Sequence, residues 1–323
     1  MRGCRVSVIA RLNQPDNPRP PRRRRLRTIQ TLPTLLTLGN LICGVAAVHF
    51  CMSAVLDPGT GPTFLRRGGV GSGLVENFLP TFVSISGLMI FVGMFFDGMD
   101  GRVARYAHRT SNFGGQLDSL ADMVTFGVAP AVLMITVLTR LPKESELVLM
   151  PGRAIWVVGA IYTCCAALRL ARFNVEHAEE PSGHNTFRGL PSPGAAATVA
   201  ALVILHQLLM ISKLGGAAVL ANVLPYIVLA CSLLMVSNVP YVHIANRYLK
   251  GRRPFEQFAM IVVALGVFLW HPAPVLVLFV CGYTASGPLG AGLARLRGRS
   301  VGTRTHTETA AGPREESRGS ASL

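Results

Sequence analysis

The 323-residue sequence predicts an all-α, polytopic membrane helical bundle with about eight transmembrane helices and both termini in the cytoplasm. Three observations predict it. Half of the residues are hydrophobic and only 15% are charged, where a soluble globular domain carries about 25% charged residues. Apolar runs close to the ~20 residues needed to cross a bilayer recur eight times. The basic residues are also distributed unevenly around those runs.

The runs cover about 33–55, 79–97, 116–139, 154–174, 191–211, 217–239, 254–271 and 273–293. Backbone N–H and C=O groups in lipid must be satisfied within the chain, so each run is a helix. The third is the least typical, because it starts at Gln116 among acidic residues. With the N-terminus in the cytoplasm, 25 of the 31 Lys+Arg fall on the cytoplasmic side. The other side holds Arg66, Arg67, Arg140, Lys143, Arg153 and Lys213. That asymmetry fits an even number of spans.

Three regions follow. Residues 1–30 form a basic, disordered cytoplasmic tail with the run Arg22-Arg23-Arg24-Arg25. Such a tail attracts anionic headgroups by about 1 kcal/mol per basic residue near the surface, although simple topology anchoring is the plainer explanation. Residues 31–295 form the membrane-embedded domain. Residues 296–323 are a polar, disordered tail.

Composition also excludes function classes. The net charge of +15 invites a nucleic-acid reading, but two Trp and six Tyr do not interleave with basic residues as single-strand binders require, so no nucleic-acid partner is expected. Seven cysteines, an odd number without a CxxC pair and mostly in apolar runs, read as small helix residues in a reducing compartment. The stretch Gly68–Gly73 lacks the Lys-Ser/Thr of a phosphate-cradling loop and reads as a flexible connection.

The chemistry concentrates in Asp97-Gly98-Met99-Asp100-Gly101-Arg102-Val103-Ala104-Arg105, followed by Gly114, Asp118 and Asp122. Four of only 16 acidic residues lie within 26 positions, beside membrane spans where an ionisable group costs about 2.5–3.5 kcal/mol. Asp97 and Asp100 are three apart and Asp118 and Asp122 four apart, so on helices each pair shares a face. If the helices are neighbours, the pairs converge, and their mutual repulsion calls for cations between them. Oxygen-only ligands favour Mg²⁺ or Mn²⁺, and two such ions could clamp a pyrophosphate. Gly101, Ala104 and Gly114 leave room for a bulky ligand, and Arg105 can pair with phosphate. Arg102 and Arg109 are weaker candidates that could mark the cytoplasmic edge. A purely structural ion network of these acids with the arginines would not require the glycines at this spacing.

The pattern D-x2-D-G-x2-A-R-x8-G-x3-D-x3-D, matched at Asp97, Asp100, Gly101, Ala104, Arg105, Gly114, Asp118 and Asp122, resembles the signature of the CDP-alcohol phosphotransferase family. The resemblance implies an integral membrane enzyme with a six-helix catalytic core. It would displace CMP from a CDP-linked lipid or alcohol with an acceptor hydroxyl, using divalent metal. It further implies that Asp97, Asp100 and Asp118 are principal metal ligands and that Asp122 ligates metal and acts as the catalytic base. Gly101, Ala104, Arg105 and Gly114 would line the CDP-lipid site. A carboxylate beside a metal suits the base role, because an alcohol is a poor nucleophile until its proton is taken.

Further segments are similar to the bacterial and archaeal phosphatidylserine synthases of that family: Leu35–Gly44 around Asn40, Gln116–Asp122 with Phe126–Pro130, Leu168–Asn174, Phe187–Pro193 and Met235–Tyr241. The resemblance covers roughly residues 30–270. It implies CDP-diacylglycerol and L-serine as substrates, within a bacterial or archaeal-type cytoplasmic membrane and with the active site facing the cytoplasm. Arg169, Arg172, Asn174 and Arg188 are candidates to hold the acceptor carboxylate or a phosphate, with topology anchoring as the competing role. Asn40 is a candidate for the CDP-lipid site or for a bond between helices, and His206 for an interhelical bond. Membrane lipids are the expected surroundings. Dimerisation is common in the family, so a homodimer is a further expectation, although no interface motif specifies one.

Two alternatives stand beside this reading. The same chemistry could use inositol, inositol phosphate or glycerol 3-phosphate as acceptor. A transporter could instead use the aspartates as a cation path, but transporters often show repeated halves, and here the two halves look unlike.

Overall fold

The computed structural model describes residues 27–56, 81–106, 112–141, 150–179, 189–212, 215–239, 241 and 272–296. Among them the secondary structure is helical: α1 (Arg27–Leu56), α2 (Phe82–Tyr106), α3 (Asn112–Asp122), a π turn (Met123–Val128), α4 (Ala129–Thr139), α5 (Gly152–Glu179), α6 (Ser192–Ile211), α7 (Ala217–Val236) and α8 (Pro272–Leu296). The π turn joins α3 to α4 in one continuous rod. Among the described residues seven helices, counting that rod once, are long and apolar enough to cross a membrane. They fall on seven of the eight expected runs. The expected run 254–271, residues 1–26 and 297–323 of the two tails, and the Gly-rich connection at 68–73 lie outside the described residues, while residues 27–30, expected in the basic tail, form the first turn of α1.

The bundle is organised around α6, which touches α2, α4, α7 and α8. Its sequence explains that position. Ala195, Ala196, Ala200 and Ala201 have no exposed surface, and small side chains let neighbouring backbones approach closely. Opposite this face, a Cβ added at Gly87 of α2 would stand 3.0 Å from Ile204 and 3.4 Å from the Ala200 carbonyl oxygen. The most extensive helix pair is α1 with α2. Many large apolar side chains remain exposed, among them Leu35, Ile42, Phe95, Trp156, Leu278 and Phe279, as expected of helices whose outer surface meets lipid rather than water.

Proline shapes two of these helices in the same way. A proline in a helix supplies no N–H to the carbonyl four residues back. Pro130 therefore leaves the Phe126 carbonyl without its helix donor, and the Tyr162 hydroxyl of α5 donates to it at 3.1 Å. Pro288 does the same to Thr284, whose carbonyl accepts from the Tyr241 hydroxyl at 3.0 Å. The π turn itself is closed by the Ala129 N–H donating to the Val124 carbonyl. Widened turns of this type insert a residue and re-aim its neighbours, and this one starts at the residue after Asp122.

The segment leading into α6 is fixed by backbone. Gly189 N–H donates to the Val239 carbonyl at 2.9 Å and Leu190 N–H to the Leu234 carbonyl at 3.0 Å. Gly189 has φ +86°, and a Cβ there would lie 2.7 Å from the Met235 carbonyl oxygen and 2.8 Å from that of Ser237. Only glycine combines that left-handed backbone with so close an approach. At the opposite end of the bundle, Thr81 at the start of α2 donates to Gln207 Oε1 near the end of α6 at 3.1 Å. The expected interhelical bond of His206 is thus made by its neighbour. His206 itself is buried, and its Nδ1 pairs with Gln207 Nε2 at 3.1 Å.

Candidate active site

Apolarity marks the second span as ending near residue 97, but α2 continues to Tyr106. That extension places Asp97 and Asp100 on a helix one turn apart rather than in a loop. α3 does the same for Asp118 and Asp122. The two ends meet. One carboxylate oxygen from each of Asp97, Asp100 and Asp118 lies within 4.8 Å of the others. Asp100 is buried, and Asp97 and Asp118 are half-buried. Asp122 stands outside this trio but within electrostatic reach of all three.

Two residues of α1 support the cluster. The Thr37 hydroxyl lies 3.1 Å from Asp100 Oδ2 and 3.0 Å from the Pro33 carbonyl oxygen, so one proton serves two acceptors. Asn40 Nδ2 donates to Asp122 Oδ1 at 2.9 Å. Asp118 Oδ1 is buried and has no hydrogen-bond partner among the described residues. Two unit charges ~4 Å apart repel by about 1 kcal/mol in bulk water and more where water is excluded. A trio of carboxylates with an orphaned oxygen fits a hard divalent cation, whose ligands are oxygens.

Beside the carboxylates the helix surface leaves room. Among the described residues, and apart from the helix's own backbone, nothing lies within 4 Å of a Cβ added at Gly98 or Gly101. Gly114 is half-buried at the start of α3. Ala104 and Arg105 continue α2 beyond the aspartates, but their side chains, like all of Arg109 and Arg188, lie outside the described residues.

The end of α5 forms the other wall. Arg169 Nη1 donates to Ser192 Oγ at the start of α6 at 2.9 Å. Its Nε is buried with no partner among the described residues, and its charge interacts with Asp122 and Tyr283. Arg172 Nη1 donates to Asn238 Oδ1 at 3.1 Å, and Asn174 Nδ2 to Ser119 Oγ at 2.9 Å. Both bonds are exposed and tie helix ends together at the rim. Arg169 thus reaches a site carboxylate, Asp122.

Asn40 has no exposed surface. Thr125, in the π turn, donates to the Asn40 carbonyl at 2.9 Å. Sequence reasoning did not single out Thr37, Thr125 or Tyr162. Thr37 had a readable signal, since it lies one turn before Asn40 on the same face. Pro130 announced a freed carbonyl at Phe126, but not its donor.

A family model described as CDP-alcohol phosphatidyltransferase matches residues 30–234. The chain belongs to that family. The match contains all eight signature positions and every helix from α2 to α6. It also takes in most of α1 and α7, while α8 lies beyond it. Curated relatives agree. The chain is 33% identical over 199 residues to a CDP-diacylglycerol–serine O-phosphatidyltransferase of Helicobacter pylori (strain J99), covering 62% of this chain and 76% of the relative. It is 32% identical over 208 residues to the Bacillus subtilis (strain 168) protein of the same name, covering 64% and 86%. It is 38% identical over 125 residues to the Saccharomyces cerevisiae one, covering 37% and 41%.

Proposed function

We propose that the protein is a CDP-diacylglycerol–serine O-phosphatidyltransferase that makes phosphatidylserine and CMP at the cytoplasmic face of its membrane. The observation that carries this reading is the meeting of Asp97, Asp100 and Asp118 from two helices, inside a chain whose curated relatives bear that name.

Asp97, Asp100 and Asp118 would hold Mg²⁺ or Mn²⁺, with Asp122 as a further ligand. Bound there, two such ions would offset the charge of the pyrophosphate and of the departing CMP. The residues of the chain do the rest. The open surface at Gly98 and Gly101 would admit the cytidine diphosphate group against α2, and Gly101, Ala104, Arg105 and Gly114 are the positions that the family signature assigns to that group. Asp122 takes the proton of the serine hydroxyl. The serine oxygen ends bonded to the lipid phosphorus, and the bond from that phosphorus to the CMP oxygen breaks. Arg169 would pair with the serine carboxylate or a lipid phosphate, its planar fork matching either anion. Arg172, Asn174 and Arg188 are further candidates to hold the acceptor carboxylate or a phosphate.

The test is CMP release by the detergent-purified chain with CDP-diacylglycerol and Mg²⁺ or Mn²⁺, without acceptor and then with serine, inositol or glycerol 3-phosphate. Stimulation by serine, with a serine lipid formed, is expected. Stimulation by another alcohol instead would keep the chemistry and overturn the acceptor. Asp122→Asn should abolish release in protein that still folds.

A further inference from the structure

We propose that Asn40 is a positioning residue that holds the Asp122 carboxylate in the orientation from which it accepts the acceptor proton, and that it makes no contact with the nucleotide. The role rests on the transferase reading above.

The geometry encloses Asn40 on three sides. Its side-chain N–H is committed to Asp122 Oδ1 at 2.9 Å, and its main-chain carbonyl is tied to the π turn through Thr125 at 2.9 Å. Its Oδ1 is buried, lacks a hydrogen-bond partner among the described residues, and lies 3.0 Å from where a Cβ on Gly93 would stand. The same Cβ would come within 2.6 Å of Thr125 Cγ2. Gly44 of α1 is packed against Thr125 just as closely. Two glycines and a threonine therefore close a slot around Asn40, with α1, α2 and the π turn as its walls. A residue with no exposed surface has no face left for a cytidine ring. Among the described residues, the site group that it bonds is Asp122.

An amide fixed on one carboxylate oxygen limits rotation of that carboxylate and leaves the second oxygen to receive the proton. Proton transfer demands such fixed, hydrogen-bond-range placement, and small misplacements of reacting groups are costly to turnover. Thr125 extends the device, since its hydroxyl sets the register of α1 against the turn that starts after Asp122.

Full-length Asn40→Leu, which keeps the volume and removes the donor, is the first variant. Three quantities are read: kcat and KM for CDP-diacylglycerol and serine, the Kd of CMP by calorimetry, and the melting temperature. The expected result is a 10- to 100-fold fall in kcat, with the CMP Kd and the CDP-diacylglycerol KM within about twofold of wild type. A tenfold weaker CMP Kd would assign Asn40 to the nucleotide and overturn the proposal, as would an unchanged kcat. Thr125→Val and Thr125→Ser form a second pair that decides the matter if Asn40→Leu fails to fold. Valine should lower kcat, and serine, which restores the hydroxyl, should recover most of the loss. Equal kcat in the two would also overturn the proposal. A folded wild-type protein that binds CMP but never releases it from CDP-diacylglycerol would instead defeat the transferase reading, and the positioning role with it.

Discussion

The Tyr162 hydroxyl donates to the Phe126 main-chain carbonyl at 3.1 Å, filling the place of the helix donor that Pro130 lacks. Both side chains are fully buried. An unsatisfied buried carbonyl costs roughly 1–3 kcal/mol, so Tyr162→Phe should lower stability by about that amount. The same turn carries Thr125, so kcat should fall as well. Thermal unfolding in detergent, read beside CMP release, checks both, and a variant as stable as wild type would show that this bond contributes nothing.

Asp118 has the orphaned oxygen of the carboxylate trio. Chelation with EDTA should abolish CMP release, and added Mg²⁺ or Mn²⁺ should restore it. Asp118→Asn keeps the shape and removes the charge, so Mn²⁺ binding read by electron paramagnetic resonance should weaken about tenfold or more, in line with the loss of a charged ligand from a hard-cation site. Undiminished Mn²⁺ affinity would move the metal elsewhere.

Arg169 is buried along its Nε edge and bonded to Ser192 through Nη1. Lysine keeps the charge but loses the planar fork. Arg169→Lys should therefore raise the serine KM about tenfold while the CDP-diacylglycerol KM stays nearly constant. The reverse pattern would assign the guanidinium to the lipid phosphate.

Gly189 occupies a left-handed backbone with carbonyl oxygens of the α7 end under 3 Å from any added Cβ. Gly189→Ala should cost about 1–3 kcal/mol, as a strained backbone position does. It should also loosen the entry to α6, where Ser192 meets Arg169. Equal melting temperatures of the variant and the wild type would contradict this geometry.

Tyr241 lies between α7 and α8, and burial, with smaller effects from Cys231 and Tyr283, pushes its phenol up to about 12. A phenol raised on folding stabilises the fold fully below its ordinary value near 10, and that stabilisation is lost as the pH climbs towards 12. Wild-type protein should therefore lose melting temperature faster than Tyr241→Phe between pH 10 and 12, with the difference between the two flat below pH 9. Parallel curves across that range would count against the Tyr241–Thr284 bond.

Most of the helical plan was legible in the sequence, because a membrane span is written in length and apolarity. The expected run 191–211 became α6 within one residue, and 273–293 became the body of α8. The boundary at Asp97 was misplaced for a physical reason. Hydropathy falls where the aspartates begin, but the backbone continues as helix for nine more residues. The three- and four-residue spacing put each pair of aspartates on one face, and the convergence, which required the two helices to be neighbours, is made by three of the four. The π turn was not legible, since a shift from i−4 to i−5 bonding leaves no mark in composition. The partner of Asn40 was not legible either, because it lies 82 positions away on another helix.

The aspartates sit on α2 and α3 inside stretches apolar enough to lie in the bilayer, and the same two helices expose Phe95, Met99, Phe113 and Leu120. A CDP-linked lipid that reaches these carboxylates can leave its acyl chains anchored in the leaflet. Catalysis on such a scaffold needs no extraction step, and its supply of substrate is set by two-dimensional diffusion within the membrane.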